Sequence, residues 1–245
     1  DGPDWKLPFK DIVEGIRFIL HEHSVRSVIM GIATALFGAG VFFALGQPFS
    51  SNVLNAGSSG FGFLVTALGS GVGIGMIALS FLGGSDFRRD VVFGASLLET
   101  GLTITATAMS RTVAGAAFWA LLAGIGAGSS YVMGFTHLHE QVTDELRGRT
   151  FAALYAVART ALLVSISLSA ILAAALDGVL PGMFRSGIRS SLVLGGTVVA
   201  FAGAITLWNM RSRFGSLALT DKAMRSLDDA SDAVSSIHRR QKEEE

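Results

Sequence analysis

The stretch SVIMGIATALFGAGVFFALGQPFSSNVLNAGSSGFGFLVTALGSGVGIGMIALSFLGGS, residues 27–85, contains no Asp, Glu, Lys or Arg. Two apolar runs fill it, 27–46 and 60–83, and the uncharged polar segment Gln47-Pro48-Phe49-Ser50-Ser51-Asn52 reads as the loop between them. A helix crosses ~30 Å of hydrocarbon with ~20 apolar residues at 1.5 Å each, so each run is long enough to span a bilayer. Four more runs follow: 91–109 with one charge, Glu99; 112–136 with none; 150–176 with one, Arg159; and 190–210 with none. Ser110-Arg111-Thr112 is a tight turn that makes a hairpin of the third and fourth. The sequence predicts an all-α integral membrane protein with six transmembrane helices. Short alternating segments, the mark of a membrane β-barrel, are missing.

The rest of the chain agrees. Of 245 residues, 50% are hydrophobic and 16% charged, and the mean hydropathy is +0.54. Soluble domains carry about 25% charged residues, so this chain lacks the charge to face water. With 19 Lys+Arg against 19 Asp+Glu there is no basic excess for nucleic acid. Zero Cys excludes disulfides and thiolate chemistry. The opening at Asp1, with no signal peptide before the first polar stretch, reads as a piece of something longer.

Six spans put both termini on one side. If that side is the cytoplasm, its flanks hold Lys6, Lys10, Arg17, Arg26, Arg88, Arg89, Arg147, Arg149, Arg211, Arg213, Lys222 and Arg225. The other side holds Arg111, Arg185 and Arg189, so the bias is twelve to three. Cytoplasmic loops are enriched in Lys and Arg, which predicts a multi-pass protein of the plasma (cytoplasmic) membrane with both ends inside. Residues 1–24 then form a linker and an interfacial helix, with Phe9, Ile12, Val13, Ile16, Ile19 and Leu20 on one face of 9–20. Residues 25–210 form the bundle, and 211–245 a polar cytoplasmic tail.

Motifs that suggest enzymes have plainer explanations. Gly69-Ser70-Gly71-Val72-Gly73-Ile74-Gly75 lacks the preceding strand and following acid of a dinucleotide site. In lipid, small residues at three- and four-residue spacing let helices approach closely, and Gly124-Ile125-Gly126-Ala127-Gly128 reads the same way. Gly57-Ser58-Ser59-Gly60 matches the serine motif of rhomboid proteases, but His137 and His139 fall at the opposite membrane face, ~30 Å away. His137-Leu138-His139-Glu140 points its side chains in different directions and has no third ligand. No catalytic residue, metal or cofactor is expected.

Glu99 and Arg159 are the informative charges. An ionisable residue in mid-bilayer costs at least ~2.5–3.5 kcal/mol and normally faces protein or water. Each lies eight or nine residues into its span from the cytoplasmic side, at depths of ~12–14 Å, so the two are at a level where they could pair. Such a pair is either structural or a proton carrier, with Glu99 taking up protons while Arg159 holds it or binds an anionic substrate group.

The segment Gln141-Val142-Thr143-Asp144-Glu145-Leu146-Arg147-Gly148-Arg149-Thr150-Phe151 resembles the cytoplasmic loop motif P-x-E-x-R-G-R-[AV]-[FM] of major facilitator superfamily exporters, which precedes the fifth helix of their carboxy-terminal half. More narrowly it resembles the macrolide-efflux and enterobactin-exporter branch. Glu14-Gly15-Ile16-Arg17-Phe18-Ile19-Leu20 with Val25-Arg26 resembles that branch's interfacial helix, and Gly60-Phe61-Gly62 its small-residue entry to the eighth helix. Gly83-Gly84-Ser85-Asp86-Phe87-Arg88-Arg89 stands where the family has a degenerate Asp-Arg loop motif, with Asp86 and Arg88 at altered spacing.

The resemblance implies half of a twelve-helix fold, six helices arranged as a 3+3 inverted repeat. The partner would be an amino-terminal six-helix half on the same or a separate polypeptide, with lipid around both. Helices one and four would line a central cavity, two and five would meet the other half, and three and six would lie outside. Thr34, Phe37 and Phe42 on helix one, with Ser129, Ser130 and Tyr131 on helix four, become the cavity positions. Arg159 is then better placed than Glu99. The expected function is proton-coupled export of an amphipathic small molecule by alternating access, since no ATP-binding P-loop is present. The alternative is a six-helix anchor or assembly module for a soluble domain, with no transport.

Overall fold

The structure is a computed structural model. It describes residues 23–82, 89–142, 144–179, 181–182 and 186–208, apart from the side chains of 23–27, 82, 89–90, 137, 140–141, 144–147 and 149. The chain divides after Leu207, and of the second unit only Trp208 is described. The interfacial helix expected over 9–20, the Asp86/Arg88 segment and the polar tail fall outside the described residues.

Among the described residues six helices are long and apolar enough to cross a membrane, so this is a multi-pass membrane protein of the all-helical class. They are α1 (His23–Pro48), α2 (Gly57–Leu82), α3 (Arg89–Met109), α4 (Val113–Gln141), α5 (Asp144–Leu176) and α6 (Gly187–Trp208). No strand occurs among the described residues. Hydrocarbon offers no partner for a bare N–H or C=O, and a helix bonds each of these within its own segment.

Three boundaries differ from the sequence reading. Gln47 and Pro48 belong to α1, and Phe49–Val53 continues it as a π-helical turn rather than a loop. Phe49 and Ser50 are buried, Phe49 beside Val41, Phe42, Leu45 and Leu64. Leu54 N donates to Phe49 O (3.1 Å), and Ser50 Oγ to Gly57 O (2.8 Å), so the polar residues of this turn serve its own backbone. Asn55 (φ 54°) and Gly57 (φ 60°) adopt the left-handed conformation in which the chain turns into α2. Secondly, the charged motif Asp144–Arg149 is already helical, forming the first turns of α5. Thirdly, α6 begins at Gly187 and so includes Arg189.

The α3–α4 hairpin matches the sequence reading. Thr112 caps α4, its side chain accepting from Gly115 N at 3.2 Å. At the other hairpin Asp177 Oδ1 accepts from Gly187 N (3.1 Å), tying the end of α5 to the start of α6.

Small residues set the helix contacts. α2 and α4 run parallel and pack most extensively. Gly71 and Gly75 face the carbonyls of Leu121 and Ile125, while Gly124 and Gly128 face those of Leu68 and Val72. α3 and α6 run antiparallel, with Gly101 against Ala200 and Gly196, and Gly203 against Leu98. α1 sits among α3, α5 and α6, where Gly31 meets Phe93, Gly40 meets Ser165 and Gly38 meets Val199. Lipid tails are as apolar as Leu, so close backbone approach, rather than exclusion of water, holds these helices together.

Of the four glycines over 69–75, Gly71 and Gly75 face α4, while Gly69 and Gly73 have no atom within 4 Å of an added Cβ. Gly71→Ala should therefore destabilise the purified protein by about 1–3 kcal/mol. Gly73→Ala should change it by less than about 0.5 kcal/mol. Thermal unfolding in detergent measures both, and equal effects would remove the α2–α4 contact from the account.

Candidate functional site

The sequence singles out positions on α1, α3, α4 and α5, and the fold does not bring them to one place. Phe42 is 3% exposed inside the core, and Phe37 packs against the same cluster. Ser130 is also buried, its hydroxyl donating to Ala127 O (2.9 Å). Thr34 is half-buried and donates to Met30 O (2.7 Å). Phe42 and Ser130 are therefore core residues, because the faces they occupy point into the bundle. Tyr131 is the member of the set that is well exposed.

Tyr131 belongs to an aromatic cluster. On α4, Tyr131, Phe135 and His139 follow at four-residue spacing, as do Phe151, Tyr155 and Arg159 on α5. Residues four apart share a helix face, and the two rows meet. Ring centroids lie 4.4 Å apart for Tyr131–Phe135, 5.9 Å for Phe135–Phe151, 6.4 Å for Phe135–Tyr155 and 4.6 Å for His139–Phe151. A groove of about 490 Å³ runs past Tyr131, Phe135 and His139 to Met76 of α2. Arg159 stands exposed one turn beyond Tyr155.

Glu99 and Arg159 share a level but not a face. α3 packs on α4 and α6, α5 packs on α1, and no ion pair joins the two side chains among the described residues. Glu99 instead lies in a groove of about 430 Å³ between α3 and α4. The α3 wall is the stripe Val91, Val92, Ala95, Ser96 and Glu99; the α4 wall is Ile125, Gly126 and Ser129. Gly126 provides the room, since a Cβ there would collide with the Glu99 carboxylate and with Thr100 Oγ1. The hydroxyls nearby are already bonded: Thr100 to Ser96 O (2.7 Å) and Thr103 to Glu99 O (2.8 Å). The carboxylate has no hydrogen-bond or ion-pair partner among the described residues.

The motif residues Asp144, Glu145, Arg147 and Arg149 lie on the first turns of α5, where backbone alone is described, and Gly148 is exposed. His139 is exposed with Nδ1 2.9 Å from Phe135 O, while the side chains of His137 and Glu140 lie outside the description.

Sequence reading missed Arg189, which it assigned to a loop. It is 7% exposed in the first turn of α6, and its guanidinium donates to Ser110 O (3.0 Å) at the end of α3. The last carbonyls of a helix have no partner of their own, and a cation that reaches them satisfies both charge and bond. Nothing in the sequence near Arg189 announces that use. The aromatic rows were readable from their four-residue spacing.

Set beside family models, curated proteins and solved structures, the chain matches none. The fold and grooves define a multi-pass helical membrane protein with a carboxylate inside one span that is unpaired among the described residues, and an exposed arginine inside another.

Arg189→Ala should lower stability by about 1–3 kcal/mol by stripping the Ser110 carbonyl of its donor. Arg111→Ala, which removes an exposed side chain in the same turn, should change it little. Thermal melts of the two variants compare them directly, and equal melting would remove the Arg189 bond from the stability account.

Proposed function

We propose that the chain is one six-helix half of a secondary-active transporter, similar to the carboxy-terminal half of a major facilitator superfamily exporter. The halves would alternate access to a small amphipathic substrate, with coupling to protons and with both termini cytoplasmic. The observation that carries this reading is which helices are left uncovered. Only 22% of α2 and 17% of α5 is buried, against 39–56% for the other four spans. α5 also exposes Arg159 about nine residues, or ~14 Å, into its span. An arginine at that depth is costly against lipid, so this face calls for water or protein. Helices two and five are the pair that the resemblance sets against the other half.

The helix neighbours support an inverted repeat. Replacing α1, α2 and α3 by α4, α5 and α6 turns the parallel pair α1/α5 into the parallel pair α4/α2. It likewise turns the antiparallel pair α3/α4 into the antiparallel pair α6/α1. Three helices are an odd number, so a tandem copy enters the membrane upside down, as this exchange requires. The aromatic rows of α4 and α5 suit an amphipathic substrate, and Arg159 suits an anionic group on it.

The chain contains no Cys, so single cysteines report cleanly. In native membranes, cysteines at Tyr131 and Tyr155 should react with a membrane-impermeant maleimide. Those at Leu102 and Phe201, equally exposed on α3 and α6, should stay unreactive because they face lipid. If all four stay unreactive, a packed anchor without a water-filled pathway replaces the transporter.

A further inference from the structure

The groove between α3 and α4 shares Ser129 with the cavity positions expected on α4, but its other wall is α3, which the reading above leaves at the periphery. From Val91, where the span begins, its α3 wall climbs two turns and ends at Glu99, ~12 Å below the membrane surface. Along the way it is apolar apart from Ser96 and Ser129. Its volume of about 430 Å³ lies within the range of small-molecule sites. At its deep end is a half-buried carboxylate that no cation of the described residues meets.

We infer that the α3–α4 groove is a lateral binding site for a lipophilic cation that enters from the bilayer, its ammonium against Glu99 and its apolar chain along Val91, Val92 and Ala95. A carboxyl group in hydrocarbon either takes a proton or meets a cation, and an apolar wall leading to it selects, among cations, one with a hydrocarbon body. A phospholipid amine does not meet the description. Its phosphate travels with the amine, and among the described residues the groove holds no cation to receive a phosphate at that depth. Gly126 makes the site possible, since any side chain there would occupy the space of the Glu99 carboxylate.

The test uses the complete protein in nanodiscs and radiolabelled dodecyltrimethylammonium, a permanent cation, below its micellar concentration. Wild type should bind it saturably. Glu99→Gln should weaken binding by roughly 30-fold or more, the usual cost of removing one partner of a buried charge pair. Glu99→Asp should restore part of it. Ser129→Leu, which fills the groove and keeps the carboxylate, should also abolish binding, and Phe201→Leu, exposed on α6 and outside the groove, should leave it intact. Size-exclusion profiles and helicity confirm that each variant is folded. Unchanged binding in folded Glu99→Gln overturns the inference. So does competition by phosphatidylethanolamine in the disc, which makes the occupant a lipid. Binding is measured without transport, so Glu99-dependent binding by a chain whose Tyr131 and Tyr155 cysteines are unreactive leaves this site standing while the transporter reading falls.

Discussion

Backbone contact between helices in a solvent that gives no hydrophobic drive is the constraint on which the structure depends. In water, Leu and Ile would bring these helices together; in lipid, the same side chains are equally content facing outward. Phe63, Phe81, Trp208 and Phe201 accordingly remain exposed. Contact surfaces are supplied instead by glycines that place one backbone on another, Gly71 on Leu121 and Gly101 on Ala200. On α3 the buried hydroxyls are turned on their own helix. Thr100, Thr103 and Thr107 of α3 each donate to a carbonyl three or four residues back, so the buried stripe they form leaves no unmet hydroxyl.

The same constraint makes the exceptions conspicuous. Arg189 is kept inside by the open carbonyl of Ser110, a partner supplied by a neighbouring helix end. Glu99 is kept inside by a vacancy, the missing side chain of Gly126. Arg159 is not inside at all, and its helix is the least covered of the six. These are three different accommodations of charge in one bundle, and the last two leave a demand that an occupant or a neighbour must meet.

Hydropathy made the spans legible, because a helix that crosses a bilayer must state its length in apolar residues. The glycine runs stated their purpose as well, although only alternate members of 69–75 serve it. That the pattern could not say which face would be used follows from its regularity: glycines two apart lie on opposite sides of a helix. Glu99 and Arg159 misled because depth can be computed from sequence and azimuth cannot. Equal depth suggested a pair, while the packing of α3 on α4 and of α5 on α1 turned them apart. Which face of α1 carries Phe42 was beyond the sequence for the same reason, and the packing puts it in the core. Gln47–Asn52 read as a loop because most of its residues are polar, yet the buried hydroxyl of Ser50 is satisfied locally, so polarity there carried no information about exposure.

The self-contained threonines of α3 have a mechanical consequence. Side-chain hydrogen bonds cross between transmembrane helices at Ser165 Oγ, which donates to Phe37 O, and at Arg189, which donates to Ser110 O. At the glycine contacts of α2 with α4 and of α3 with α6 the helices are keyed by shape, glycine notch against backbone ridge. Such a joint breaks no bond when one helix slips along its neighbour; it resists until a ridge clears its notch and then settles one turn further on. Ser165 and Arg189 pin α5 to α1 and α6 to α3.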